Sequence, residues 1–335
     1  MDAIVLAGGF ATRLWPITRN RPKMFLPIGD TTVIDRIFRD LEEDDRVENV
    51  YVSTNEEFAD DFRNHLAESP FEKPTVSVEE AREEDEKFGV VGALGGLVER
   101  EGLDSDTLVI AGDNLISFDV SEFIDDFVEH GSTTVAAYDV GDLESATQYG
   151  VIAVDDDRVT AFQEKPDDPP STLVSIACYA FPAETMGLID TYLSGDNNPD
   201  EPGWFIQWLI DREPVYAFSF QGAWFDIGTP EGYLDAVAWY LDGGTLVHPD
   251  ATVRDSDLGQ NVHVMEGATV VDSELERSVV FPDAKLSSCQ IYSSIIDEET
   301  ELEDVSLSNA QIGAHTQMVQ SPPATWVWEQ ARDSQ

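Results

Sequence analysis

The sequence is poor in cysteine, and this scarcity excludes two kinds of structural framework. Cys178 and Cys289 are the two cysteines in 335 residues, and no CxxC pair is present. The five histidines are also isolated, without the close spacing that is typical of metal-binding pairs. A disulfide scaffold and a structural zinc site are therefore unsupported.

Basic residues are scarce as well, which bears on the partners that the protein can bind. The chain has 19 lysines and arginines against 67 acidic residues, a formal net charge of -48. Nucleic acids and anionic membranes attract proteins that present clusters of lysine and arginine. We therefore expect neither nucleic acid nor membrane as a partner.

Lysine is the rarer of the two basic residues, with five lysines against fourteen arginines. A net charge of -48 on 37.1 kDa is far more than solubility requires. An acidic surface with little lysine is typical of proteins from salt-loving organisms, in which salt screens the repulsion between like charges. The composition thus indicates a halophile-like source, and any retained lysine becomes a candidate for a specific role.

The halophile interpretation predicts that the fold depends on salt. Dilution from 1 M to 0.01 M salt lengthens the Debye length from ~3 Å to ~30 Å, so repulsion would extend across the acidic surface. We expect the cooperative thermal transition, followed by circular dichroism, to disappear in dilute buffer. A melting temperature that is the same at both potassium chloride concentrations would contradict the interpretation.

Long hydrophobic segments are absent, although the chain has enough apolar residues to form a core. The first apolar run, Ala3–Ala7, follows Met1-Asp2 without a basic region and is too short for a signal peptide or a membrane span. Hydrophobic residues make up 42% of the chain and aromatic residues 10%. These values are typical of folded chains and not of disordered acidic ones. We expect a folded, cytoplasmic protein.

Residues 1–242 show the alternation of strands and helices that is typical of an α/β domain. Short apolar runs such as Thr107–Ala111 and Leu173–Phe181 alternate with amphipathic segments such as Thr32–Leu41. This pattern predicts a Rossmann-like mixed, mostly parallel sheet covered by helices. The last helix, Glu231–Leu241, ends before Gly243-Gly244, where we place the domain boundary.

Residues 243–320 have a different periodicity. From Val247 to Met318, aliphatic residues recur at steps of five or six, and three steps sum to 16 or 17 residues. Such spacing predicts a parallel β-helix with three short sides per coil and hexapeptide-like repeats. A β-sandwich would instead show strict alternation and turns rich in glycine or proline. Residues 321–335 follow the Ser321-Pro322-Pro323 interruption as a C-terminal tail.

The end of the first strand carries a candidate phosphate-binding loop. The segment runs from Leu6 through Gly8-Gly9 to Arg13, and the glycine pair would let backbone N–H groups approach a phosphate. The spacing is that of neither GxGxxG nor a Walker loop, so nicotinamide and P-loop folds are disfavoured. Further along, Lys23 stands between two prolines, and in a lysine-poor chain this position suggests a function.

With these residues the chain resembles the sugar-1-phosphate nucleotidylyltransferases, also called NDP-sugar pyrophosphorylases. The resemblance covers essentially residues 1–242, and several members carry a left-handed β-helix after that domain. Its motifs recur in the family's order, namely Leu6 to Lys23, Gly112-Asp113-Asn114, Tyr149-Gly150-Val151-Ile152, Glu164-Lys165-Pro166 and Trp224-Phe225-Asp226-Ile227-Gly228-Thr229-Pro230.

The resemblance implies a role for each matched residue. The reaction would be the attack of a sugar 1-phosphate on the α-phosphorus of a nucleoside triphosphate, in which positioning and charge neutralisation dominate. The implied catalytic residues are Arg13 and Lys23, and the implied Mg²⁺ ligands are Asp113 and Asp226. The implied nucleotide-binding residues are Leu6, Ala7, Gly8, Gly9, Thr12, Glu84 and Gly89. The implied sugar-phosphate-binding residues are Gly150, Glu164 and Lys165.

Three departures from the family pattern bear on substrate choice. Ala11 replaces the usual glycine of the loop, and Ser175-Ile176-Ala177 replaces an Asn-x-Gly that contacts the sugar in many relatives. Uridylyl and thymidylyl enzymes of the family often have glutamine at the position that contacts the base. If Glu84 occupies this position, its acceptor oxygens suit the N–H donors of guanine. UTP, dTTP and GTP all stay open, as do glucose and mannose 1-phosphate.

Three other functions compete with this interpretation. A glycosyltransferase that uses nucleotide sugars would explain Asp155–Asp157 as a DxD motif, although this run fits a hairpin turn better. A bifunctional enzyme could use the β-helix for acyl transfer, with His248, His263 or His315 as the base. A non-catalytic regulatory relative is disfavoured by the intact Arg13 and its partner motifs. We favour the β-helix as a platform for homo-oligomer assembly or regulation.

Overall fold

The structure is a computed structural model that describes residues 1–79 and 89–319. It divides into two compact units, of which the first comprises Met1–Leu14 and Thr18–Ala236. The second comprises Trp15–Ile17 and the chain from Val237 onward. This division falls inside the last helix of the first domain, whereas the boundary that we propose from the sequence falls after residue 242.

The first unit is built on β-strands whose apolar residues are almost fully buried. In chain order the strands are β1 Asp2–Leu6, β2 Pro27–Ile28, β3 Thr31–Thr32, β4 Asn49–Thr54, β5 Pro74–Val78, β6 Thr107–Ala111, β7 Asn114–Ile116, β8 Thr134–Asp139, β9 Gly150–Asp155, β10 Arg158–Glu164, β11 Leu173–Phe181, β12 Tyr216–Ser219 and β13 Trp224–Asp226. Because the central strands are buried on both faces, they are continuous apolar runs such as Ala3–Val5.

Nine of these strands form one mixed sheet in the order β5-β4-β1-β6-β11-β8-β12-β10-β9. The half from β5 to β6 is parallel, in agreement with the expected Rossmann-like arrangement. In the other half β11 runs antiparallel to β6, β8 and β9, and β9 and β10 form a hairpin. The sheet is therefore mixed as expected, and its parallel pairs are concentrated at one end.

Amphipathic helices cover this sheet. The helices are α1 Val33–Glu43, α2 Ala59–Glu68, α3 Gly89–Glu101, α4 Val120–His130, α5 Leu143–Ala146, α6 Ala183–Met186, α7 Ile189–Leu193, α8 Pro202–Leu209 and α9 Pro230–Leu241. Local sequence sets their ends, as in α4, where Asp119 accepts from the Ser121 N–H and Gly131 ends the helix at φ 58°. The buried face of α1 consists of Val33, Ile34, Ile37, Phe38 and Leu41, as its periodicity predicts.

The acidic run Asp155–Asp157 forms the turn between β9 and β10. Asp155 pairs with Arg158 across the hairpin, and Asp156 has a left-handed φ of 55°. Aspartate tolerates this conformation because its short polar side chain can bond locally. The hairpin prediction is confirmed, and the turn carries no argument for a glycosyltransferase.

The second unit contains a parallel β-helix. Its strands are β14 Thr245–Val247, β15 Thr252–Arg254, β16 Asp257–Leu258, β17 Val262–Val264, β18 Thr269–Val271, β19 Glu274–Glu276, β20 Ser278–Val280, β21 Lys285–Ser287, β22 Gln290–Tyr292, β23 Ile295–Ile296, β24 Glu301–Glu303, β25 Ser306–Ser308, β26 Gln311–Ile312 and β27 Gln317–Val319. They form three parallel sheets, with every third strand paired. The arrangement is that of a left-handed β-helix.

The aliphatic repeat of the sequence forms the core of this β-helix. Partners in successive coils are 16 or 17 residues apart, as in Val264 with Val280 and Val253 with Val270. Residues from Val253 to Met318 at the predicted positions pack in one cluster. Val247 is the exception, because it lies on the first coil and is 37% exposed.

No helix within residues 1–79 and 89–319 is long and apolar enough to cross a membrane.

Candidate active site

A large cavity of the first unit opens where the parallel half of the sheet ends. Its volume is about 2090 Å³. Leu6 at the end of β1, Asn55 after β4 and Ala111 at the end of β6 all line it. The carboxyl ends of parallel strands are the usual place for a ligand in an open α/β sheet, because the loops that follow them converge there.

The glycine loop after β1 lines this cavity through Leu6, Gly8, Gly9 and Arg13. A Cβ at Gly8 would lie 2.9 Å from Glu79 Oε1, whereas a Cβ at Gly9 would meet nothing within 4 Å. A side chain at Gly8 would therefore require the Glu79 carboxylate to move. Gly9 leaves its backbone open to a ligand.

Two predicted nucleotide-binding residues of this loop are not among those that line the cavity. Ala7 is 1% exposed, and both of its backbone groups are occupied, since its N–H donates to Ser53 O and its carbonyl accepts from Thr54 Oγ1. Thr12 begins a short 3₁₀ helix, Thr12–Leu14, and points to solvent. The backbone of Ala7 therefore fixes the loop to β4. Direct contacts of Ala7 and Thr12 with a nucleotide stay predictions.

Lys23 lies in the cavity beside Asp113. The 3₁₀ turn Lys23–Phe25 holds Lys23, and its Nζ donates to Asp113 Oδ2 in a part-buried ion pair. The two side chains are 13% and 18% exposed, so water screens the pair only partly. Asp113 lies two residues after the end of β6, in agreement with its predicted position at a strand end.

Asp226 is the last residue of β13, which pairs with β7 in a two-stranded sheet. Asp226 pairs with Asn114, the neighbour of Asp113, and its Oδ1 accepts from the Gly228 N–H at 2.8 Å. A Cβ at Gly228 would lie 2.8 Å from Asp226 Oδ1 and 3.4 Å from Lys23 Nζ. Glycine at this position leaves room for both the carboxylate and the ammonium.

The charges around Asp226 have opposite effects on the pKa of its carboxyl group. Burial, followed by the negative charge of Asp113, raises the pKa of the Asp226 carboxyl above its usual value. The positive charges of Lys23 and Arg13 lower the same pKa. Two carboxylates thus repel each other at this place, and a cation between them would relieve the repulsion.

The carboxylate pair fits a magnesium ion. Within the described parts of the chain, no group of three or more His, Cys, Asp or Glu side chains could hold a metal. Mg²⁺ prefers oxygen ligands and is often bound by one or two carboxylates together with substrate phosphates and water. Asp113 and Asp226 would therefore hold the ion, and the substrate would complete its ligands.

Glu164, Gly150 and Lys165 lie together in another part of the cavity. A Cβ at Gly150 would overlap the ring of Phe162 and come within 3.1 Å of Glu164 Oε2. A Cβ at Gly203, in the first turn of α8, would overlap the same carboxylate. Glu164 is consequently packed closely between two glycines, and a side chain at either position would displace its carboxylate or the ring of Phe162.

Lys165 is paired with an acid that the motifs do not include. Its Nζ lies 2.6 Å from Glu201 Oε1 and 3.9 Å from Glu164 Oε1. Burial, followed by the negative charge of Glu201, raises the pKa of the Glu164 carboxyl, and Lys165 opposes this shift. Nothing in the sequence distinguishes Glu201 among 67 acids, so the pairing becomes visible only in the structure.

Both alanines that replace family glycines have left-handed backbones, Ala11 at φ 48° and Ala177 at φ 53°. Glycine adopts this region without strain, which explains the family pattern, whereas alanine does so at a cost of roughly 1 kcal/mol. Ser175, at the place of the family's asparagine, donates its hydroxyl to Tyr179 at 3.1 Å. Of the substituted residues, Ser175 and Ala177 line the cavity.

The predicted base-reading region is described only at its ends. Glu84 lies outside the described residues. Gly89 lines the cavity at φ 69°, and a Cβ there would overlap the carbonyl of Pro199. Glu79, which the motifs do not include, also lines the cavity and accepts from Ser53 Oγ at 3.0 Å. Glu79 directly follows β5, and this position after a strand is a signal from which it could have been predicted as a site residue.

Two histidines of the β-helix, His263 and His315, occupy different environments. His263 is 5% exposed, and burial together with nearby His248 lowers its pKa to about 4. His315 is exposed, with its Nδ1 3.2 Å from Glu299 Oε2. Neither position gives the acyl-transfer alternative specific support.

The carboxylate pair, the adjacent cations and the glycine loop at the sheet edge suit the transfer of a nucleotidyl group between phosphates. Residues 2–243 match the family model described as nucleotidyl transferase. The chain belongs to this family of enzymes.

Relatives that the chain resembles support the same class. The chain is 29% identical over 288 residues to the "Putative mannose-1-phosphate guanyltransferase" of Sulfolobus acidocaldarius, covering 82% of this chain and 75% of that protein. It is 30% identical over 246 residues to the "Bifunctional protein GlmU" of Methanocaldococcus jannaschii, covering 72% of this chain. The match spans 55% of the length of GlmU, so the whole activity of GlmU does not transfer by similarity.

A solved structure shares the fold. It is the crystal structure of a "Putative Glucose-1-Phosphate Thymidylyltransferase" from Bacillus anthracis in complex with a sucrose, with a TM-score of 0.62 and 24% identity. The match covers 72% of this chain and 95% of that one. At this identity the similarity shows the fold alone.

Proposed function

We propose that the protein joins a nucleoside triphosphate to a sugar 1-phosphate and releases pyrophosphate, giving an NDP-sugar. The observation that carries the proposal is one cavity that contains both halves of the implied machinery. Lys23, Asp113 and Asp226 line one part of the cavity, and Glu164 and Lys165 line the same space. A single cavity for two phosphate-bearing substrates is what the reaction requires.

The proposed reaction is an in-line displacement at the α-phosphorus of the triphosphate. A phosphate oxygen of the sugar 1-phosphate forms the new P–O bond, and the bond between the α-phosphorus and the bridging oxygen of pyrophosphate breaks. The attacking oxygen is already an anion, so no base has to remove a proton. The protein therefore acts by orienting two polyanions and neutralising their charge.

Each of the proposed active-site residues has one task in this scheme. Lys23 and Arg13 stabilise negative charge on the triphosphate as pyrophosphate leaves. Asp113 and Asp226 would hold Mg²⁺, which neutralises phosphate charge when it is bound. Glu164 accepts from sugar hydroxyl groups. Lys165 faces the phosphate of the sugar 1-phosphate.

GTP and mannose 1-phosphate are the substrates that we propose first. The Sulfolobus relative is named for these substrates. In addition, Glu79 places a carboxylate 2.9 Å from the Cβ position of Gly8 in the glycine loop, and carboxylate oxygens suit the N–H donors of guanine. UTP or dTTP with glucose 1-phosphate is the alternative, and the β-helix would serve homo-oligomer assembly.

Pyrophosphate release from pairs of substrates tests this proposal. GTP, UTP, dTTP and ATP would each be combined with glucose 1-phosphate and mannose 1-phosphate in the presence of Mg²⁺ and high salt. We expect the highest kcat/KM for GTP with mannose 1-phosphate. Release that does not require any sugar phosphate would indicate a hydrolase and contradict the proposal.

The role of Lys165 predicts a specific kinetic effect of its removal. Lys165→Ala should raise KM for the sugar 1-phosphate by about tenfold or more, because a charge-assisted contact to phosphate is lost. KM for the nucleotide should change much less. Steady-state kinetics with each substrate varied in turn would measure both effects.

Lys285→Ala is the matched control. Lys285 is 62% exposed in the β-helix and pairs with Glu301 at 2.8 Å, so this variant also removes a lysine–glutamate pair. It should leave both constants nearly unchanged. If Lys165→Ala weakened nucleotide binding alone, the assignment of Lys165 to the sugar phosphate would be wrong.

A further inference from the structure

Glu201 and Lys165 meet inside the cavity where the sugar phosphate is proposed to bind. Glu201 immediately precedes α8, and Lys165 immediately follows β10. Their charged atoms are 2.6 Å apart, closer than Lys165 is to its neighbour Glu164. The ammonium that is assigned to the substrate is therefore already occupied by an acid of the protein.

The two acids around Lys165 differ in their freedom to move. Glu164 is packed between Gly150 and Gly203, and its side chain is 10% exposed. The Glu201 side chain is 42% exposed, and within residues 1–79 and 89–319 Lys165 is the one hydrogen-bond partner shown for its carboxylate. Glu201 can therefore turn into solvent, whereas close packing restricts the movement of Glu164.

Lys165 itself is held at its backbone. Its φ of 45° is unusual for a residue with a side chain, and its N–H donates to Tyr149 O at 3.1 Å. The backbone thus fixes where the side chain begins, while the ammonium, on a side chain that is 51% exposed, reaches into the cavity. Such a lysine can exchange one anionic partner for another without a change of fold.

The electrostatic energies favour replacement of Glu201 by a phosphate group at Lys165. A partly exposed carboxylate–ammonium pair is weak because water screens it. A phosphate monoester carries about -1.5 to -2 charges and forms stronger charge-assisted bonds. Burial, followed by the negative charge of Glu201, raises the pKa of the Glu164 carboxyl, so the departure of Glu201 removes a like-charge contact.

We propose that Glu201 acts as an internal stand-in for the phosphate of the substrate, holding Lys165 until a sugar 1-phosphate displaces it. This inference rests on the proposed function, in which Lys165 receives that phosphate. Because an unphosphorylated sugar has no charge with which to displace Glu201, the exchange would favour phosphorylated sugars. Glu201 would also keep small inorganic anions away from Lys165 in a salty environment.

Glu201→Gln tests the exchange, because it removes the competing charge and keeps the size of the side chain. KM for mannose 1-phosphate should fall by about threefold, the scale of a partly exposed ion pair. KM for GTP should not change, and inhibition by inorganic sulfate should become stronger. Glu184→Gln removes the same charge from an exposed position outside the cavity and should change none of these values.

A second variant links the effect to Lys165. In the Lys165→Ala background, Glu201→Gln should no longer lower KM for mannose 1-phosphate, since the two changes are coupled through one contact. A KM that rises or stays constant in the single variant would overturn the proposal, as would a decrease that persists without Lys165. Absence of pyrophosphate release by the unmodified protein would instead contradict the proposed function itself.

Discussion

Asp226→Asn is expected to lower kcat by about three orders of magnitude, which corresponds to ~4 kcal/mol of lost stabilisation of the transition state. Asn has nearly the same size as Asp but lacks the negative charge that would hold Mg²⁺ with Asp113. Because the carboxylate is destabilised by burial and by Asp113, its removal should not lower the melting temperature. Pyrophosphate release at saturating Mg²⁺ and thermal unfolding would measure the two effects.

Asp113→Asn should produce a loss of similar size, although it also breaks the ion pair with Lys23. The matched control is Asp211→Asn, which changes an exposed carboxylate outside the cavity and should retain full activity. Near-normal turnover of either cavity variant at saturating Mg²⁺ would remove that residue from the proposed metal site. An unfolded variant would be recognised by the loss of its cooperative transition.

Lys23→Ala is expected to lower kcat by about 10² to 10³-fold, the usual effect of removing one donor that stabilises developing charge. The contact strengthens as pyrophosphate leaves, so KM for the nucleotide should change less than kcat. Rapid-mixing measurement of pyrophosphate formation separates this step from product release. Lys285→Ala again serves as the control, because it removes a lysine far along the chain from the motifs.

A variant that raised KM for the nucleotide and kept kcat would show that Lys23 binds the ground state and the transition state equally. In that case the catalytic role would be wrong, and a binding role would replace it. Loss of activity in Lys285→Ala as large as in Lys23→Ala would show that the lysine substitutions act through general destabilisation.

Much of the fold could be predicted because its signals are local. Thr107–Ala111 and Leu173–Phe181 are strands with the predicted bounds, since each is a continuous apolar run between polar turns. The β-helix repeat was visible because each coil places one aliphatic residue per side in the core. The antiparallel pairs of the sheet could not be predicted in the same way. Strand direction depends on the connections between strands, and hydrophobic periodicity carries no information about them.

Residues of the candidate site could be predicted where their type is scarce in the chain or where they belong to a recognisable motif. Lys23 and Lys165 stood out in a chain with five lysines, and both line the cavity. Glu201 could not be predicted in the same way, because it is one of many acids. Gly203 could not be predicted because its importance depends on its packing against the Glu164 carboxylate. Close packing between segments that are distant along the chain cannot be predicted from a single sequence.

The path of the sugar phosphate oxygens tests the central claim most directly. A sugar 1-phosphate labelled with oxygen-18 at its non-bridging phosphate oxygens would be incubated with unlabelled nucleoside triphosphate, Mg²⁺ and the protein. Attack on the α-phosphorus predicts that the NDP-sugar retains all of the label and that the released pyrophosphate contains none. Label in the pyrophosphate, or an unlabelled NDP-sugar, would contradict nucleotidyl transfer to the sugar phosphate.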